Sequence, residues 1–215
     1  MPVILYAPYE VPLVGGRFGP PRRPRPRLPR VSRVARRGVC DNWPMSVPTL
    51  LVTGTCGVGK STIAAEINDV LAEAEIANAA IDLDALTWQW PSNSAFNSDL
   101  MFENLAALWP NYRAHGAQRL ILARVLEDRA ELARYRAAVP GAEIVVCHLV
   151  APQSLRLDRL RARTPAGASR DWHERRTVEL EGILLRSGVA DFVVANDDRE
   201  PREVALDVLG HVAWV

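Results

Sequence analysis

The chain has 215 residues, 48% of them hydrophobic and 24% charged, with a formal net charge of +1, which fits one folded domain and excludes a wholly disordered chain. No apolar run approaches the ~18 residues that a membrane-spanning helix needs. Three widely spaced cysteines (Cys40, Cys56 and Cys147) with no C-x-x-C pair argue against a disulfide framework or zinc site, and favour a reducing, cytoplasmic setting.

The near-neutral total hides an asymmetry. Residues 1–44 carry nine arginines against two acids, Glu10 and Asp41, and hold nine of the sixteen prolines. Proline at that density removes backbone donors and breaks helical periodicity, so a disordered tail is expected over 1–44, dispensable or lying upstream of a start at Met45. Its charge would suit a nucleic-acid arm, but nucleic acid is not otherwise an expected partner. The folded domain is expected over 45–215 and is net acidic.

From Met45 onward, short apolar runs alternate with helical patterns. "TLLVT" (49–53) predicts a strand, and Ile63, Ile67, Val70 and Leu71 recur at helical spacing over 60–74. "NAAIDL" (78–83) predicts a second strand. A helix over 98–114 follows, with Pro110 as a kink or boundary. "RLILARV" (119–125) and a helix over 128–139 come next, closed by Pro140-Gly141. "EIVVCHLV" (143–150) is apolar throughout, as a strand covered on both faces should be. Helices over 152–163 and 174–187, a strand over 191–195 and a helix over 201–212 with Pro201 in its first turn complete the chain. Five strands separated by helices imply right-handed βαβ units, and so an α/β domain with a parallel sheet sandwiched by helices.

One motif is specific. Gly54-Thr55-Cys56-Gly57-Val58-Gly59-Lys60-Ser61 fits G-x-x-x-x-G-K-[ST] without mismatch, between a predicted strand and a predicted helix, with Thr62 next in line. Such a loop turns successive N–H groups inward as an anion nest, and the helix adds its positive end. Lys60 is the only lysine in a chain that otherwise uses 25 arginines. A compact ammonium reaches the terminal phosphates where a planar guanidinium would not thread the loop. Ser61 offers a hydroxyl to Mg²⁺. The loop therefore predicts binding of a nucleoside triphosphate with magnesium. A single lysine also excludes the N/T-K-x-D motif of guanine-selective GTPases.

Beyond the loop, Asp82 and Asp84 end the second predicted strand, where alternation would put both carboxylates on one face at the carboxyl edge of the sheet. Either can hold the metal through water or accept a proton from a substrate hydroxyl, unless it merely caps the next helix. Arg124, inside the third strand pattern, is a candidate for an anionic acceptor or an edge salt bridge. Arg156, Arg159 and Arg163 share one side of a helix. Arg161, Arg170, Arg175 and Arg176 flank "TPAGAS", a stretch suited to closing over phosphates. Trp88, Trp90 and Phe96 either stack on a ring or sugar or form core beneath a lid.

With "VTGTCGVGKST", "IDLDAL", "LDRLRAR" and "DFVVANDDREPREVALDVL", the chain over 48–213 resembles P-loop small-molecule kinases of the gluconate, shikimate and adenylyl-sulfate kinase type. The resemblance implies a P-loop NTPase fold with strand order 2-3-1-4-5 and an ATP-dependent phosphotransferase acting on a small-molecule acceptor. It further implies an acceptor-contacting aspartate at Asp82 or Asp84, a lid arginine at Arg163, and an adenine-cradling loop at Asn196, Asp197 and Asp198. Thr87 stands where adenylyl-sulfate kinases carry an arginine, and no aspartate directly follows the third apolar run. The competing expectation is a nucleotide-binding switch or slow NTPase acting through a partner.

Overall fold

The computed structural model describes residues 46–92 and 94–215. The expectation for residues 1–44 falls outside these. Five strands form one wholly parallel sheet: β1 (Val47–Thr53), β2 (Asn78–Asp82), β3 (Arg119–Ala123), β4 (Ala142–Val150) and β5 (Phe192–Ala195), in the order β2-β3-β1-β4-β5. Among the described residues there are six α-helices: α1 (Lys60–Glu73), α2 (Ser98–Ala114), α3 (Leu132–Ala138), α4 (Gln153–Arg163), α5 (Ala168–Ser187) and α6 (Pro201–Val212).

Alternation along the strands builds two cores. Leu51, Leu120, Leu122 and Val146 point to one side, against Met101, Leu105 and Trp109 of α2, Tyr135 of α3 and Leu184 of α5. Leu50, Val52, Ile121, Cys147 and Leu149 point to the other, against Ile63, Ile67 and Leu71 of α1 and Val204, Val208 and Leu209 of α6. The strands read as apolar throughout because both faces are covered. Among the described residues, no helix is long and apolar enough to cross a membrane.

Several boundaries differ from the sequence expectation, each for a local reason. β2 stops at Asp82, because that side chain accepts a hydrogen bond from the Asp84 N–H (3.0 Å) and starts a 3₁₀ turn over Leu83–Thr87. β3 stops at Ala123, so Arg124 lies just beyond the strand. The Arg124 N–H still reaches the Val52 carbonyl (3.1 Å), and the Leu126 N–H turns to the Thr53 hydroxyl (2.8 Å). The helix expected over 128–139 divides into a 3₁₀ turn, Arg129–Glu131, capped by Asp128, and α3.

Pro110 does not end α2, which runs through it with Leu105 and Trp109 buried alongside. Helix α5 begins at Ala168, six residues before the expected start. Only residues 164–167 separate it from α4, and the Arg161–Glu174 ion pair (3.0 Å) spans the junction. "TPAGAS" is therefore partly helix.

Truncating Leu122, fully buried in the interior strand β3, should test this core. Leu122→Ala is expected to cost about 3 kcal/mol, read as a lower urea midpoint with an unchanged slope.

Candidate functional site

Residues 54–59 cross from β1 to α1 at the carboxyl edge of the sheet. The loop glycines are dictated by geometry, as two of the three show. Gly57 has φ +78°, and a Cβ there would lie 2.4 Å from the Arg156 carbonyl oxygen. Gly59 has φ +99°, and its Cβ would lie 2.4 Å from the Asn196 amide nitrogen. A side chain at either position would push α4 or the β5–α6 loop away, in a conformation L residues rarely adopt. Gly59 begins α1 with no side-chain cap, and the first turn holds no acid. Its leading amides and the helix dipole thus remain available to an anion.

Amides that turn into the loop turn their carbonyls outward, and three of these carbonyls are met by side-chain donors. Lys60 Nζ donates to the Thr55 carbonyl (3.0 Å), the Thr177 hydroxyl to that of Cys56 (2.7 Å), and the Asn196 amide to that of Val58 (2.7 Å). Below them Arg156, only 2% exposed, donates to the Thr55 hydroxyl (2.7 Å) and pairs with Glu181 (2.9 Å). Arg159 clamps the carbonyls of Asn196 and Asp197 (3.1 and 2.9 Å). Arg156 and Arg159, which share a helix side with Arg163, are therefore braces, and Asn196 spends its amide on the loop. Asp197 lies half-buried beside it and Asp198 is exposed.

Sequence reasoning missed Thr177. A signal was present, because Thr177, Leu180 and Leu184 lie at spacings of three and four on one buried stripe of α5, where a hydroxyl needs a partner.

The two aspartates part company. Asp82 accepts the Ser61 hydroxyl (2.6 Å), whereas Asp84, in the 3₁₀ turn, pairs with Arg124 (3.1 Å). Strand alternation thus does not place them, since β2 ends between the two. Burial pulls the Lys60 ammonium below its usual pKa, against the opposing pull of Cys56, Asp84 and Asp82, and the Arg163 charge lowers it further. Burial likewise pushes the Cys56 thiol up. Arg163 is exposed at the end of α4, and Thr62 is exposed in the first turn of α1.

Beyond the aspartates opens a cavity of about 370 Å³, with Phe96, Arg124, Glu127, Glu131 and Arg134 among its walls. Arg124, itself 8% exposed, joins it to Asp84. Arg176 pairs with Glu127 and Glu179, and its guanidinium lies 5.7 Å from the Phe96 ring centroid. Trp172 approaches the same ring at 6.2 Å. Trp88 and Trp90 are 86% and 73% exposed, so neither is core beneath a lid. Thr87 donates its hydroxyl to the Asp84 carbonyl (2.7 Å) and finishes the turn that presents this carboxylate.

Among the described residues there is no group of three or more His, Cys, Asp or Glu side chains placed to hold a metal. A hydroxyl beside a carboxylate, as at Ser61 and Asp82, is instead the sparse oxygen donor set that suits Mg²⁺, which keeps waters and phosphate oxygens for its other positions.

No family model and no curated protein matches this sequence. Solved structures do match. A gluconokinase from Sinorhizobium meliloti 1021 is 21% identical with a TM-score of 0.51, covering 79% of this chain and 94% of its own. A sugar kinase from Janibacter sp. HTCC2649 is 17% identical with a TM-score of 0.53, covering 78% and 95%. An APS kinase from Mycobacterium tuberculosis, in complex with AMPPNP and APS, is 22% identical with a TM-score of 0.50, covering 79% and 99%. The shared property is the fold, a P-loop domain with strand order 2-3-1-4-5.

The brace at Val58 gives a direct test. Asn196→Ala should leave that carbonyl unmet at a cost of about 1–3 kcal/mol, seen as a lower melting temperature, and should loosen the loop enough to weaken binding of pyrophosphate in calorimetry.

Proposed function

We propose that this chain is an ATP-dependent phosphotransferase that moves the γ-phosphoryl group to a hydroxyl of a small molecule. The observation that carries the reading is the continuity of the site: a braced amide nest with Lys60, then Ser61 on Asp82, then Asp84 on Arg124 at the mouth of a cavity. Fold neighbours named as gluconokinase, sugar kinase and APS kinase support it.

In this reading the loop amides from Gly54 to Thr62 and the Lys60 ammonium take the polyphosphate. Asn196 and Asp197 border the base through their backbone, held by Arg159. Ser61 and Asp82 would hold Mg²⁺, which would supply neutralising charge to the transferring group. Asp84 orients the acceptor hydroxyl and receives its proton. The acceptor oxygen bonds to the γ-phosphorus, the bond to the β–γ bridging oxygen breaks, and ADP leaves. Arg163, exposed and already within the field of Lys60, supplies charge to the equatorial oxygens. Catalysis is then positioning plus electrostatics.

Lys60→Ala is expected to abolish the heat of ATP·Mg²⁺ binding in calorimetry. Lys60→Arg should be nearly as damaging, because a bulkier planar guanidinium is a poor substitute for the compact ammonium that donates to the Thr55 carbonyl. Full ATP affinity in both variants would end the proposal. Asp84→Asn should retain nucleotide affinity while acceptor-dependent ADP release falls by about 10²–10⁴-fold. ADP release by the parent that is indifferent to every acceptor would favour a nucleotide switch or slow NTPase instead.

A further inference from the structure

We propose that Glu131 makes the cavity selective for acceptors that carry a protonated amine beside the reacting hydroxyl, such as amino sugars and other hydroxylated amines, over acceptors that carry a carboxylate. The inference rests on the phosphotransferase reading and names its substrate class.

The charges around the cavity are nearly all spoken for. Arg124 is held by Asp84 (3.1 Å) and Arg134 by Asp99 (2.6 Å). Glu127 is held by Arg176, and Asp128 accepts the Ala130 N–H (2.8 Å) that caps the turn. Glu131 is the exception: among the described residues its carboxylate has neither a hydrogen-bond nor an ion-pair partner, although it lies on the cavity wall. An incoming carboxylate would find both guanidinium groups of the wall already neutralised and a third charge, that of Glu131, repelling it. An ammonium would meet an acceptor with no competing donor.

Burial reinforces the point. Glu131 is half-buried, and desolvation pushes its pKa up against the opposing fields of Arg124 and Arg134, with Glu127 and Asp128 adding to the rise. The carboxylate is therefore partly desolvated and has no protein donor, and a cationic ligand supplies one. Rigidity suits the task too. Glu131 ends the 3₁₀ turn Arg129–Glu131 and adjoins α3, whose Leu132 and Tyr135 are buried in the core. Phe96 and Val125 on the same walls offer apolar surface to a carbon skeleton or sugar ring.

The probes are D-glucosamine, N-acetyl-D-glucosamine and D-gluconate, titrated into the full chain saturated with AMPPNP and Mg²⁺. D-glucosamine is expected to bind about 10- to 100-fold tighter than either of the others, the range for a charge-assisted hydrogen bond. Glu131→Gln, isosteric and expected to melt within about 3 °C of the parent, should erase that preference without changing AMPPNP affinity. Equal or tighter binding of D-gluconate, a preference that survives Glu131→Gln, or no binding of D-glucosamine would overturn the inference. Absence of AMPPNP binding would instead count against the phosphotransferase reading, and the amine preference is read independently of it.

Discussion

An anion nest has a cost on its reverse side. Turning the amides of residues 54–60 toward one point turns the peptide carbonyls away from it, into protein where water cannot serve them all. Here the carbonyls of Thr55, Cys56 and Val58 are each met by a side chain, from Lys60, Thr177 and Asn196. At about 1–3 kcal/mol for a buried acceptor left unmet, those three bonds decide whether the loop can keep its shape without a ligand. The donors come from α1, α5 and the end of β5, so the sheet order brings distant segments to one loop. Strand β4, next to β1, is followed by α4, whose Arg156 lies beneath Thr55. Asn196 follows β5, one strand further out.

The same edge sorts negative charge. Had β2 continued to Asp84, both carboxylates would face the same way and compete for one position. Asp82 instead ends the strand and caps the turn through one oxygen while its other oxygen takes Ser61. The 3₁₀ turn rotates Asp84 toward Arg124 and the cavity. One short sequence, Asp82-Leu83-Asp84, thereby meets Ser61 on one side and Arg124 on the other, with Leu83 fully buried between them.

Most of the fold is legible in the sequence because both signals it depends on are local. Apolar runs mark strands covered on two faces, and the glycine loop with its lone lysine has one structural context. What the sequence hides is long-range. Arg156 and Arg159 share a helix face with Arg163 and look equivalent, yet two are braces and one is exposed. The difference lies in partners 101 and 37 residues away. Trp88 and Trp90 read equally well as core or surface, since an aromatic residue in a loop carries no periodicity to decide it. The strand ends were overrun by one or two residues because Leu83, Arg124 and Val125 continue a plausible strand pattern, while the side-chain caps that stop it depend on geometry.

Arginine and lysine are used differently for a physical reason. Arg156 and Arg159 hold two acceptors each with one planar fork, which a single ammonium cannot span. Lys60 has the opposite task. Its charge sits where burial disfavours it, next to the Arg163 field, partly offset by Asp82 and Asp84. A polyphosphate entering the nest would bring the compensating charge, and an ammonium with three N–H donors could meet it while keeping the Thr55 carbonyl. A buried ammonium only partly compensated by its neighbours would bind an anion with more than the attraction of the pair, because binding would also relieve part of the desolvation penalty. On the proposed phosphotransferase reading this makes one lysine among 25 arginines intelligible: the position calls for a charge small enough to be buried by the loop.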